Sequence, residues 1–276
     1  ALTASPLKEN MAMLETGDFR GNRITNEGLA AVVATLGPYL EKLDLSANAF
    51  DSRGVEAFQS FVPEAGHLTD IDMSSNRLSD KSVSKLCLQL SQYCPHLWRL
   101  RLSDVGIGYD ADTGGALGIL LVAMPKLRLL DVSFNMLGGQ GAIAFVKGLQ
   151  SSRLRCLDLS WNSLGKGPHC KSVADELATA VSVVETLQHL DISFNCLQMQ
   201  EMDILAKAVR SSRHIWGIHV DGNAAYVDIN GVLTAMPVGY LPEDSARPKP
   251  ARSSSKKGKA GKKAKQKSKD SADAEI

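Results

Sequence analysis

Residue types that commonly carry catalysis or hold metals occur in this chain without forming a recognisable site. Six histidines and five cysteines are scattered along the sequence, and only His169 and Cys170 are adjacent. Two neighbouring ligands with no others nearby in sequence do not make a zinc site. The phosphate-binding pattern G-x-x-x-x-G-K-[ST] and the hydrolase patterns G-x-S-x-G and H-E-x-x-H are absent. We therefore predict no enzymatic activity, no catalytic residue, no metal and no cofactor.

A recurring aspartate is the most regular polar feature of the sequence. It lies between two apolar residues in five similar phrases, as Asp44, Asp72, Asp131, Asp158 and Asp191. Arg101 and His219 take the same place in two weaker copies. One interpretation is that each aspartate bonds to neighbouring serine or backbone groups as part of a common strand phrase. The other is that the aspartates form an acidic surface for a basic ligand.

Three large rings hold equivalent places, each directly before an asparagine, as Phe134, Trp161 and Phe194. Exposed rings side by side are costly to leave in water, so such a patch is typical of a protein contact surface. The alternative is that the rings fold over the adjacent turn and shield the asparagines. Trp98 and Trp216 lie at the first variable strand position of their own phrases, and we expect them to extend the contact surface.

These residues belong to one repeated unit. Five phrases fit the pattern L-x-x-L-x-L-x-x-N-x-L, with other apolar residues at some leucine positions: LEKLDLSANAF, LTDIDMSSNRL, LRLLDVSFNML, LRCLDLSWNSL and LQHLDISFNCL. Weaker copies begin at Leu14, Leu97 and Ile215, which gives eight units whose starts are 26 to 33 residues apart. An apolar stretch at helical spacing follows most phrases, so each unit is predicted to form a strand, a turn and a helix.

The repeat resembles that of the ribonuclease-inhibitor-like leucine-rich-repeat family over residues 14 to 236. The resemblance implies an α/β solenoid, or horseshoe, with a parallel sheet on the concave face and helices on the convex face. Alternate strand side chains, such as Leu43 and Leu45, are predicted to fill the layer between sheet and helices. The predicted divisions are a lead-in (1–13), the solenoid (14–236), a cap and linker (237–246) and a tail (247–276).

The asparagines of the phrases are predicted to be structural, because an amide can satisfy backbone groups where the chain turns away from the sheet. The repeat that begins at Leu97 departs from the pattern, with Val105 in place of asparagine and with Arg99 and Arg101 in place of neutral or acidic residues. The charge reversal indicates either specificity for one feature of a partner or a tolerated irregular repeat. The residues predicted to bind a protein on the concave face are Phe134, Trp161, Phe194, Trp98, Trp216, Asp44, Asp72, Arg99, Arg101, Asp131, Asp158 and Asp191.

The two ends of the solenoid need covers, because a terminal layer otherwise leaves its apolar face in water. The segment AYVDINGVLTAMPVGYLP is predicted to cap the last repeat with Tyr226, Val227, Ile229, Val232, Leu233 and Met236. At the other end, either the first repeat packs on a partner or residues that precede Ala1 are missing from this chain.

Charge divides the chain into two parts. From Arg247 onward there are 11 lysine and arginine residues and three acidic ones, a net charge of +8, whereas the preceding residues carry 20 basic and 27 acidic ones, a net charge of −7. The tail has hardly any large apolar side chain and is predicted to be disordered when free. We expect it to bind a polyanion, such as the acidic tails of tubulin or RNA; a solubilising role and binding to the chain's own acidic wall are the alternatives. The polyanion-binding residues are predicted to be Lys256, Lys257, Lys259, Lys262, Lys263, Lys265, Lys267 and Lys269.

The leading functional hypothesis is a non-enzymatic, protein-binding adaptor in a large intracellular assembly. Proteins of this repeat type with basic tails resemble those of cilia, axonemes and other microtubule structures, which favours that setting. The alternatives are a regulator of a GTPase or a ubiquitin-related enzyme, and a ribosome-associated or nuclear protein. The ribonuclease inhibitors themselves are cysteine-rich and the activators of the Ran GTPase end in an acidic tail, so neither branch fits well. The odd number of cysteines and the lack of a long apolar run predict a cytoplasmic protein that spans no membrane, and we expect no small-molecule substrate.

Overall fold

The computed structural model describes residues 14–238, all of which lie in the first of the chain's two units, Ala1–Ser245. The predicted lead-in, the residues of the predicted linker after Val238 and the whole lysine-rich tail lie outside the described residues. Within residues 14–238 the chain repeats strand, turn and helix, and the solenoid predicted from the sequence is confirmed.

Eight short strands form one parallel sheet, in which each strand pairs with the next along the chain. The strands pair in register, so that Leu43 aligns with Ile71 and Leu157 aligns with Leu190. Equivalent positions of neighbouring repeats therefore lie side by side, as the predicted concave face requires. The strands are β1 Thr16–Asp18, β2 Lys42–Asp44, β3 Asp70–Asp72, β4 Arg99–Arg101, β5 Leu129–Asp131, β6 Cys156–Asp158, β7 His189–Asp191 and β8 Gly217–His219.

Helices connect these strands on the convex side. Several begin at a polar side chain that accepts a hydrogen bond from a backbone N–H of the first turn, as Thr25, Asp51, Ser79 and Asp110 do. No helix in the described range is long and apolar enough to cross a membrane. The α-helices are α1 Asn26–Thr35, α2 Ser52–Phe61, α3 Asp80–Tyr93, α4 Ala111–Ala123, α5 Gly139–Leu149, α6 Cys170–Val183 and α7 Met199–Ser211, and short 3-10 helices span Gly37–Tyr39 and Val62–Glu64.

The core is a continuous apolar layer between sheet and helices. The predicted alternation is confirmed, because the central strand residue and the residue just after the strand, such as Leu157 and Leu159, are both buried. Apolar residues of the helices, among them Phe145 and Leu177, close the layer from the other side. Each repeat buries its leucines only together with its neighbours, so the layer stabilises the stack as a whole.

The predicted structural role of the asparagines is seen most clearly at Asn135. Its amide nitrogen donates to three backbone carbonyl oxygens at 2.8 to 3.0 Å, and its side-chain oxygen accepts from the backbone N–H groups of Val105, Gly106 and Ile107 at 3.0 to 3.1 Å. The bonds join two repeats, since Val105 belongs to the preceding one. Asn48 makes the same kind of bond, since its side-chain oxygen accepts from the backbone N–H groups of Asn22 and Ile24 in the preceding repeat. The asparagines thus tie each repeat to the one before it.

A two-stranded antiparallel hairpin follows the last repeat, with strands β9 Ala225–Val227 and β10 Leu233–Ala235. The predicted cap is present, but its contact is narrower than expected. Leu233 is fully buried, whereas Ile229 is 74% exposed and Val232 is 38% exposed. The difference arises because Ile229 and Val232 lie between the two strands of the hairpin, where their side chains stay exposed, whereas Leu233 begins β10 and is buried.

Candidate protein-binding surface

The rings of Phe134, Trp161 and Phe194 form a continuous stack along three neighbouring repeats, which we call the aromatic ridge. The ring centroids of Phe134 and Trp161 are 5.4 Å apart with an interplanar angle of 11°. Those of Trp161 and Phe194 are 4.2 Å apart at 16°. Despite this stacking, the three residues remain 54%, 47% and 41% exposed. The ridge follows the carboxyl ends of β5, β6 and β7 and forms one apolar edge of the sheet.

The backbone of the ridge adopts a conformation that bulky residues rarely take. Phe134, Trp161 and Phe194 have φ values of 53°, 54° and 57°, in the left-handed region. Ala47 and Ser75 hold the same place in earlier repeats with the same sign of φ. The fold therefore requires this conformation but not a ring, and a side chain there costs about 1 to 2 kcal/mol. Large rings at strained, exposed positions favour a role in contact with another molecule.

The alternative is that the rings shield the asparagines. Repeats with and without a ring can be compared to examine this role. Asn162 follows Trp161 and is 4% exposed, while Asn76 follows Ser75 and is 3% exposed. A serine at this place thus leaves the next asparagine as well buried as a tryptophan does. An asparagine at this place can therefore be buried without a ring before it, although Asn48, which follows Ala47, is only partly buried.

A groove of about 340 Å³ runs beside the ridge, lined in part by Met136, Lys166 and Cys196. Phe194 lines it and packs closely against Gly222, because a methyl group on that glycine would lie 2.4 Å from the ring. One face of Phe194 is therefore covered by Gly222 and the other by Trp161. Phe134, at the opposite end of the stack, contacts Trp161 through one face only.

The recurring aspartates line up across the sheet, as predicted. One carboxylate oxygen of each accepts the backbone N–H of the serine two residues later, at 2.8 to 2.9 Å, in Asp44, Asp72, Asp131, Asp158 and Asp191. This bond is the one expected of a common strand phrase. Three of the carboxylates also lie close together on the concave face. Asp131, Asp158 and Asp191 border a depression of about 280 Å³ that Cys156 and His189 help to line. The two interpretations of the aspartates are compatible.

Asp158 is the central carboxyl group of the row formed by Asp131, Asp158 and Asp191, which we call the aspartate strip. Partial burial raises the pKa of Asp158 above its ordinary value of 3.8, and repulsion from Asp131 and Asp191 raises it further, while hydrogen bonds from Ser160 act in the opposite direction. An approaching positive charge would relieve this repulsion.

The arginines of β4 have partners within the chain. Arg99 forms a two-pronged ion pair with Asp70, whose side chain is only 7% exposed. Arg101 pairs with Asp72 at 3.3 Å. The charge reversal of this repeat therefore neutralises the aspartates of the preceding strand, an outcome that neither interpretation from the sequence included. Asp70 was missed because it occupies a variable strand position rather than the recurring one.

The two outlying tryptophans are not brought to the ridge. Trp98 and Trp216 lie directly before β4 and β8, at the amino ends of the strands, whereas the ridge follows the carboxyl ends. Trp98 lies against Arg99, with the guanidinium carbon 5.0 Å from the ring centroid. Both tryptophans therefore lie at the opposite edge of the sheet from the ridge, and their role in binding a protein stays a prediction.

Within residues 14–238, no group of three or more histidine, cysteine or acidic side chains has the arrangement of a metal site. His169 lies near Gln140, and its neighbour Cys170 interacts with Glu201. All five cysteines are free thiols. Burial raises the pKa of the Cys87 and Cys94 thiols to about 12, which leaves both groups protonated and unreactive.

Comparison with known proteins agrees with the repeat. A family model described as "Leucine Rich repeat" matches residues 38–58, 67–87, 123–146 and 185–198. The ribonuclease inhibitor of Mus musculus is 31% identical over 125 residues, which is 44% of this chain and 27% of that protein. The "NACHT, LRR and PYD domains-containing protein 5" of Bos taurus is 29% identical over 148 residues, which is 51% of this chain and 13% of that protein. The chain thus matches about a quarter or less of the length of these two relatives.

Among solved structures, the leucine-rich-repeat ectodomain of the Arabidopsis receptor kinase HAESA, in complex with a peptide hormone, matches with a TM-score of 0.41 and 17% identity. The match covers 75% of this chain and 34% of that chain.

Proposed function

Because this chain is a leucine-rich-repeat protein of the ribonuclease-inhibitor-like type, we propose that it is a non-enzymatic adaptor that binds a protein through its concave face. The aromatic ridge is the main contact, joined by the aspartate strip beside it. The main support for this contact is the position of the three rings. They are stacked and roughly half-exposed, and they occupy left-handed backbone positions that the fold fills elsewhere with alanine or serine. Large aromatic side chains are frequent anchors of protein contacts.

The proposed setting is a large assembly in the cytoplasm, with cilia, axonemes or other microtubule structures favoured by the resemblance noted above. The lysine-rich tail would hold the protein on a polyanion such as tubulin's acidic tails or RNA, by releasing bound counterions. The net charge of +8 from Arg247 onward supports this part of the proposal. The relatives named above do not identify a partner for this chain, because the chain matches only a small part of each relative.

The concave-face proposal is tested by replacing Phe134, Trp161 and Phe194 with serine. Ser75 shows that serine tolerates this backbone position, so the melting temperature is expected to stay nearly unchanged. Native complexes are purified on the tagged full chain and identified by mass spectrometry, and the triple variant is expected to lose the partner. A collapse of stability in the variant would show that the rings are structural and would refute the proposal.

A matched control replaces two exposed apolar residues on the convex side. Ile119 and Val122 of α4 are 53% and 57% exposed, and their change to serine removes apolar surface away from the concave face. This variant is expected to retain the partner. The tail is tested separately: deletion of residues 247–276 is expected to abolish sedimentation with microtubules at low salt and to leave capture by the ridge intact.

A further inference from the structure

We propose that the segment received by the aromatic ridge is an extended, arginine- or lysine-rich stretch of the partner, with one cationic group seated between the open ring face of Phe134 and the carboxylate of Asp104. The inference rests on the proposed function and specifies the chemistry of the partner. Three features support it: the distribution of paired and unpaired charges along the sheet, the face of Phe134 that has no stacked ring, and the spacing of the carboxylates.

The first half of the sheet is internally neutralised. Arg20 lies 3.1 Å from Asp18 and 3.9 Å from Asp44, and Arg99 and Arg101 pair with the two aspartates of β3. These acidic side chains therefore present little free negative charge to a partner.

The second half of the sheet is not neutralised in this way. Among the residues that the structure describes, no lysine, arginine or histidine forms an ion pair with Asp104, Asp131, Asp158 or Asp191. Arg101 borders the same depression as Asp131 but is engaged with Asp72. The unpaired acidic charge coincides with the part of the sheet that carries the ridge, since Asp131, Asp158 and Asp191 each lie three residues before one of its rings.

The ridge offers one open ring face to a cation. Both faces of Trp161 are covered by its neighbours, and Phe194 is enclosed between Trp161 and Gly222. Among the three rings, only Phe134 has a face with neither a stacked ring nor a close glycine. The equivalent residue of the preceding repeat, on the side away from Trp161, is Asp104, and the in-register pairing of β4 with β5 places it next to Phe134 in the column. Asp104 is exposed and has no side-chain partner within residues 14–238. A guanidinium or ammonium group at this place gains both a cation–π contact and a carboxylate.

The position of other cations sets the path of the segment. Arg128 and Arg155 lie three residues before Asp131 and Asp158, about 10 Å away along the strands at the amino edge of the sheet. A cationic segment is therefore repelled from that edge. At the carboxyl edge, Lys166 lines the groove beside Trp161 and Phe194, so a cationic group is favoured at the other end of the ridge, beside Phe134 and Asp104. The four carboxylates from Asp104 to Asp191 span three strand spacings, roughly 14 Å, which fits an extended stretch of about four or five residues. The long stems of arginine and lysine would pack on the ring edges.

The test uses the full chain and three defined, fluorescently labelled peptides of equal length: glycine alternating with arginine, with citrulline and with glutamate. Citrulline keeps the shape of arginine without its charge. Fluorescence anisotropy is expected to show binding of the arginine peptide, weakened by salt, at least about tenfold weaker binding of the citrulline peptide, and none of the glutamate peptide.

Two double variants with the same change in net charge provide the control. Asp104→Asn with Asp131→Asn is expected to weaken binding of the arginine peptide about tenfold, the factor for two charge pairs at a surface. Asp175→Asn with Asp203→Asn, on helices α6 and α7, is expected to change it less than about twofold. In the Phe134→Ser variant the preference for arginine over citrulline is expected to shrink.

The outcomes separate this inference from the proposed function. If the arginine peptide does not bind, or if the citrulline or glutamate peptide binds equally well, the cationic partner is ruled out. Equal losses in the two double variants would also overturn it, because binding would then follow net charge alone. In each of these cases, loss of the native partner in the serine variant of the ridge would still uphold the adaptor function.

Discussion

Gly114 of α4 packs against the backbone of Gly141 in α5, so closely that a methyl group on Gly114 would lie 2.0 Å from the carbonyl oxygen of Gly141. Two glycines thus bring neighbouring helices of the convex side into direct backbone contact. This spacing lets α4 and α5 follow adjacent strands that are far closer together than two helices with larger side chains could be.

Substitution of Gly114 by alanine should therefore destabilise the solenoid. The added methyl group meets backbone that cannot move aside easily, and we expect a loss of about 1 to 3 kcal/mol in the free energy of unfolding. Gly115→Ala is the matched control, because nothing lies within 4 Å of that added methyl group and alanine favours a helix by up to about 1 kcal/mol. Urea unfolding of both variants decides the point, and equal losses would contradict the close contact of the helices.

Substitution of Asn135 by alanine should be among the most damaging changes in a polar residue. It removes six hydrogen bonds and leaves buried backbone groups of two repeats without partners. We expect a loss of at least about 3 kcal/mol in the free energy of unfolding. Asn22→Ala, at an exposed asparagine whose amide donates to Arg20, should cost less than about 1 kcal/mol. Equal losses in the free energy of unfolding of the two variants would contradict the structural role of Asn135.

The Arg99 ion pair with Asp70 should stabilise the fold rather than bind the partner. Arg99→Met leaves a mostly buried carboxylate unpaired, and we expect a loss of about 2 kcal/mol, between the values for exposed and fully buried pairs. The double variant Arg99→Met, Asp70→Leu should recover most of the loss, because it removes the stranded charge. Arg20→Met, which opens an exposed pair with Asp18, should leave stability unchanged. Failure of the double variant to recover would mean that Arg99 acts through packing alone.

Asp158→Asn should stabilise the protein at neutral pH. The pKa of Asp158 is raised in the folded state, so its ionised form destabilises the fold at pH values above the folded-state pKa. As the pH falls, the folded protein takes up this proton before the unfolded chain does. The energetic penalty of the ionised carboxylate is thereby lost, and it is absent below the ordinary pKa of 3.8 that Asp158 has in the unfolded chain. The melting temperature of the asparagine variant should thus exceed that of the wild type at pH 7 and equal it near pH 3.

A useful comparison for this prediction is Asp44→Asn. Asp44 makes the same hydrogen bond to a serine but lies 3.9 Å from Arg20, so removal of its charge should bring no gain in melting temperature at pH 7. An equal gain in both variants would indicate a general effect of net charge and not the local burial and repulsion of Asp158.

The sequence by itself determined the layered architecture. Because each repeat contacts only its neighbours, a phrase that recurs every 26 to 33 residues places its leucines in one core, its asparagines in one turn and its aspartates in one row. The proximity of Phe134, Trp161 and Phe194 followed from the same periodicity, as did the cap after the last repeat.

Only the tertiary structure decided what the side-chain ends contact. Periodicity fixes the position of a residue along the sheet but not the direction of a long side chain. The ion pair of Arg99 with Asp70 and the stacking of the rings therefore could not be predicted from it. The separation of Trp98 and Trp216 from the ridge depends on which end of a strand each residue occupies. The close approach of Gly114 to Gly141 arises between helices whose packing the strand phrase does not encode, and backbone contact there is settled by three-dimensional geometry alone.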